Sequence, residues 1–143
     1  MKKAVTGAIL LGAAVLGIGF IWHLEHGISL FARVDLGDSS TNTHSKADIR
    51  EAVSTVRKEF QDYEGCVMTK LKYSEELTQM ELDPDISNGI WEDYDDIIVL
   101  DSTFTTSALV SETGWDGHTQ RGWKWTVLHT ADNGWQCYGG GRG

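Results

Sequence analysis

The sequence predicts an α+β chain: an N-terminal transmembrane helix, then a long amphipathic helix packed on a curved, mostly antiparallel sheet of about four strands. Three observations carry that prediction. Residues 4–22 form a run of 19 without a charge or a proline. Apolar residues recur at intervals of three and four between Ile49 and Tyr63, the period of a helix with one buried face. Alternation of period two governs residues 66–73, 123–130 and 135–139, as strands require.

The apolar run spans about 28 Å as a helix, close to the hydrocarbon thickness of a bilayer. Trp22 ends it where an amphipathic ring prefers the headgroup level. Lys2 and Lys3 before the run outweigh the single Arg33 after it, so the positive-inside rule places the amino terminus inside. A cleaved signal peptide is the competing expectation, but the run exceeds the usual apolar core and no Ala-x-Ala follows it. The expected organisation is an anchor over 1–34, a polar linker over 35–45 and an acidic extracytoplasmic domain over 46–143.

Ser45 reads as a helix N-cap with Asp48 three residues on, and Gly65 sits where a C-cap belongs. The intervening stripe is Ile49, Ala52, Val53, Val56, Phe60 and Tyr63. In the strand over 66–73, simple alternation puts Val67, Thr69, Leu71 and Tyr73 on one face and Cys66, Met68, Lys70 and Lys72 on the other. Ser74 with Glu75 and Glu76 starts a short second helix that Pro84 ends. Residues 97–104 are apolar and β-branched enough for a strand, and 107–122 read as a loop. Residues 123–130 and 135–139 flank Asp132-Asn133-Gly134, a hairpin signal. The glycine-rich tail from Gly139 is expected to fray.

Helix 46–63, the stretch Glu64-Gly65-Cys66-Val67-Met68-Thr69-Lys70-Leu71-Lys72-Tyr73-Ser74-Glu75-Glu76, the strand 97–104 and the Gly122-Trp123-Lys124-Trp125 hairpin together resemble a group of uncharacterised bacterial membrane-anchored or lipoprotein-like envelope proteins. The resemblance covers roughly residues 46–138. It implies a small domain of nuclear-transport-factor-like or cystatin-like shape, and it supplies no catalytic residues. This chain lacks the cysteine after the apolar run that lipidated members carry.

From Asp35 onward nine Lys or Arg face 20 Asp or Glu, which excludes the clustered cations that nucleic acid demands. No phosphate loop, nucleophile elbow or zinc motif occurs, so neither a catalytic set nor a cofactor is expected. Cys66 and Cys137 are either two thiols or a disulfide; on the far side of a membrane the disulfide is favoured, closing a loop of about 70 residues worth about 4 kcal/mol. Between Lys72 and Arg121 there is no Lys or Arg, and twelve acids. Within it Asp83, Asp85, Asp93, Asp95 and Asp96 are candidate cation ligands, although Asn88 and Tyr94 stand where a calcium loop needs Gly and Glu. The bland alternative is a solvated acidic loop. Trp123 and Trp125 share a strand face and are candidates to line a ligand pocket, or else fill the core.

The functional expectation is a membrane-anchored extracytoplasmic interaction domain with a protein or cell-surface partner. A small-molecule-binding module and a cation-binding domain are the alternatives.

Overall fold

The computed structural model describes residues 32–38, 40–106 and 119–142. Its elements are β1 (Arg33–Asp35), α1 (Lys46–Phe60), β2 (Cys66–Tyr73), α2 (Glu75–Leu82), α3 (Pro84–Ser87), β3 (Asp96–Thr106), β4 (Thr119–Thr130) and β5 (Gly134–Arg142). The strands form one sheet in chain order, β1-β2-β3-β4-β5. Its last four strands pair antiparallel, whereas β1 runs parallel to β2.

This architecture corrects the expected one. The sheet has five strands and is mixed, because Val34 and its neighbours, expected to precede a linker, pair with Lys70–Lys72. Three residues are too few to show an alternation, so β1 leaves no periodic trace. The segment expected to be a polar linker is tied down as well: the Asn42 amide donates to the Leu36 carbonyl at 2.8 Å, and His44 is buried. Helix α1 stops at Phe60, short of Tyr63, and is followed by turns up to Gly65, which takes φ +69°.

The expected single-pass membrane placement, with an inside amino terminus and an extracytoplasmic domain, also finds no support. Among the described residues no helix is long and apolar enough to cross a bilayer. The longest, α1, has 15 residues and spans about 22 Å, below the roughly 30 Å required. Residues 4–22, on which the expectation rested, lie outside the described residues.

Helix α1 forms because Ser45 accepts a hydrogen bond from Asp48 N–H at 3.1 Å, and Arg57 and Lys58 end it against the dipole. Its buried stripe of Ile49, Ala52, Val53, Val56 and Phe60 covers one face of the sheet. There it meets Cys66, Met68, Leu71, Tyr73, Ile98, Leu100, Phe104, Trp125, Val127 and Trp135. Phe60 makes edge contacts with Phe104 and Trp125 at centroid distances of 5.5 and 6.1 Å.

The facing of β2 differs from simple alternation. A bulge between Met68 and Lys70 inserts a residue, so Cys66 and Met68 share the core face with Leu71 and Tyr73. The β4–β5 hairpin closes through Ala131-Asp132-Asn133, with Gly134 at φ +66°, the left-handed position a three-residue loop needs. The glycine tail does not fray: Gly139–Arg142 pair with Trp123–Thr126.

Cys66 and Cys137 are both free, correcting the expected disulfide. Strands β3 and β4 lie between β2 and β5, which separates the two by three strand spacings, about 14 Å along the sheet. A bridge needs Cα atoms within about 7 Å.

Candidate binding face

The sheet face opposite α1 carries a thinner layer. Ile97, Val99 and Leu128 are buried there beneath Leu77, Trp91 and Tyr94. Ser74 caps α2 by accepting from Leu77 N–H at 3.3 Å. Where β2 ends, α2 continues the pairing of β3: Ser74 N–H donates to the Val99 carbonyl, and Val99 N–H donates to Thr78 Oγ1 at 3.0 Å. Pro84 does not simply terminate structure. Asp83 closes α2 and caps α3, accepting from Asp85 N–H at 2.9 Å, and Pro84 occupies the first turn where its missing N–H costs nothing. Asn88 then ends α3 in the left-handed region at φ 55°.

These geometries hold apolar side chains outward. Met80, Leu82, Ile86 and Ile90 are all exposed, Ile90 at 62%. A groove of about 370 Å³ runs between α2 and α3, lined by Gln79, Met80, Leu82, Asp83 and Ile86. Trp91 fixes the adjoining end: its Nε1–H donates to Glu81 Oε2 at 2.6 Å, and its ring meets Tyr138 edge-on at 5.0 Å. Tyr138, on the edge strand β5, is 65% exposed. With Trp91 it walls a second groove, of about 330 Å³, over Gly139–Gly141. Asp83 lines the first groove, and Glu81 stands with Lys124 and Arg142 at the second, while the sequence holds no Lys or Arg between Lys72 and Arg121.

A polar cluster braces one end of this layer. His44 Nδ1 lies 3.2 Å from Tyr73 Oη, and His44 Nε2 lies 2.8 Å from Asp96 Oδ1. Tyr73 donates its hydroxyl to Glu75 Oε2 at 2.6 Å, and the His44 ring bridges Tyr73 to Asp96. Burial and the Glu75 carboxylate push the Tyr73 phenol well above its usual value. Burial alone would raise Glu75, but hydrogen bonds from Thr43, Tyr73 and Gln79 outweigh it and bring the carboxyl down to about 2. The cluster ties residues 43–44 to β2, α2 and β3.

The residues singled out in the sequence are dispersed. Trp125 is fully buried with Nε1–H donating to Ser102 Oγ at 2.8 Å. Trp123 is half-buried and packs edge-on against Phe104 and Tyr63. Asp83 serves as a cap, and Asp85 and Asp93 are exposed. Asp95 approaches His129 at 3.6 Å, while Asp96 holds His44. Among the described residues no three His, Cys, Asp or Glu side chains converge as a metal site would need. Burial pushes the Cys66 thiol up, and burial with the nearby Glu59 carboxylate raises Cys137 to about 11, so neither is an activated nucleophile. The outward apolar residues were missed because Met80, Leu82, Ile86 and Ile90 follow no single period across two helices and a turn. The signal present was an apolar set inside a cation-free stretch.

Comparison with protein-family models, with curated proteins and with solved structures finds no match.

Proposed function

We propose that this chain is a non-catalytic interaction domain whose acidic, apolar-studded α2–α3 face docks a basic amphipathic segment of a partner protein. The observation that carries the reading is the set of uncovered Met80, Leu82, Ile86 and Ile90 within a stretch of sequence that holds no Lys or Arg. Scattered exposed apolar residues are ordinary, but Met80, Leu82 and Ile86 gather around one groove, with Ile90 four residues on, and such a grouping marks a contact surface. The surrounding carboxylates select the charge of the occupant and accelerate its approach. A helix presenting Leu on one face and Lys on the other matches both properties, in the helix-in-groove mode.

Fluorescence anisotropy with a labelled Leu/Lys amphipathic peptide and the full chain tests this. Saturable binding is expected, weakening with added salt and falling about tenfold in the Ile86→Ser, Ile90→Ser double variant. An unchanged affinity in that variant, or no saturable binding by the wild type, refutes the proposal. Both side chains are exposed, so the melting temperature of the variant should stay near that of the wild type.

A further inference from the structure

A groove of about 440 Å³ lies between β1 and α1, lined by Val34, Leu36, Arg50, Val53, Ser54 and Arg57. Its chemistry is opposite to that of the acidic face. Val34, Leu36 and Val53 supply apolar wall continuous with the main core. Arg50 and Arg57 stand two helical turns apart along α1, and no acid is among the lining residues. Neither guanidinium has a hydrogen bond or ion pair among the described residues, in a chain whose formal net charge is −9. Arg57 Nε is also fully shielded from solvent and has no hydrogen-bond partner. A shielded donor of this kind loses its water without gaining an acceptor, so the guanidinium meets a counter-charge only through its terminal Nη groups.

We infer that this groove binds an anionic amphiphile, a medium-chain alkyl carboxylate, with its head on Arg57 and its chain along Val34, Leu36 and Val53. A carboxylate fits because the two terminal Nη groups of the Arg57 guanidinium project N–H bonds in parallel and engage two oxygens at once. Arg50, one wall further along, adds a second positive charge without needing contact. The volume falls within the range of small-molecule sites, and an apolar surface with a few polar anchors is their usual composition. This site stands independently of the α2–α3 face.

Isothermal titration of the full chain with octanoate, octanol, acetate and inorganic phosphate provides the test. Octanoate is expected to bind saturably and at least about tenfold more tightly than octanol, which has the chain without the charge. Acetate and phosphate, which have charge without a chain, should not saturate over the same range. Arg57→Lys keeps the charge but deletes the two-pronged guanidinium, and should weaken octanoate about tenfold. Ser54→Trp, at an exposed position, fills the groove without removing a core contact and should abolish binding. Each variant is read beside its own melting curve. Octanol binding as tightly as octanoate overturns the inference. So does saturation by phosphate alone, affinity unchanged in both variants, or no octanoate binding at all.

Discussion

Adjacent glycines in the last strand should respond oppositely to the same methyl group. Gly140 faces the main core, and a Cβ built there would stand 2.8 and 2.9 Å from Cε3 and Cζ3 of Trp125 and closer still to Trp123 Nε1. The Trp125 ring is enclosed on all sides, so it has no room to yield. Overpacking of this kind costs about 1–3 kcal/mol. Gly141 points to the opposite face, where a Cβ meets nothing within 4 Å. Gly141→Ala therefore leaves packing intact and restricts the unfolded chain, a gain of about 0.4–1 kcal/mol. Neither residue has a positive φ, so backbone strain does not confuse the comparison. In a domain of this size one kcal/mol moves the melting temperature by about 4–8 °C. Thermal and urea melts of the two variants should separate clearly, Gly140→Ala below the wild type and Gly141→Ala at or above it. A Gly140→Ala protein as stable as Gly141→Ala would refute the placement of the tail against the tryptophans.

Two further outcomes follow from the polar cluster and the thiols. Glu75 ionises at about 2 in the folded chain against an ordinary 4.5, so its stabilisation is full above pH 4.5 and disappears as pH falls from about 5 toward 2. Unscreened, that gap is worth about 3 kcal/mol; with solvent at the carboxylate, about 1–2 kcal/mol. Melts across that window should show this slope in the wild type and lose it in Glu75→Gln. Thiol titration in denaturant should return two thiols per chain with or without prior reduction; a rise from none to two on reduction would contradict the separation of Cys66 from Cys137.

What the sequence made legible was the periodic part of the fold. The helix stripe from Ile49 to Phe60, the Ser45 cap and the Trp123–Val127 alternation each repeat often enough to announce a buried face. Features that act once left no such trace. The extra residue at Thr69 reverses the facing of Cys66 and Met68, yet nothing in the composition of β2 marks it. His44 lies in a run of small polar residues, where its burial depends on Tyr73 and Asp96, 29 and 52 positions away. The glycine tail looked incapable of packing because glycine offers no side chain; its partner is the flat face of tryptophan, which needs that absence. The candidate face was visible only as a charge pattern, since exposure is a property of the assembled layer.

The sheet separates two layers of unequal thickness, and their resistance to opening should differ accordingly. Among the described residues the α1 side holds fifteen buried core residues, five of them on the helix itself, while the α2–α3 side rests on three. Local unfolding free energy follows such contact, so amides of α2 and α3 should exchange with solvent well before those of β3 and β4. A partner gripping the outer layer would then close the most readily opened unit of the molecule. Its arrival would register as slowed exchange in residues 75–87, while the core behind the sheet stayed as it was.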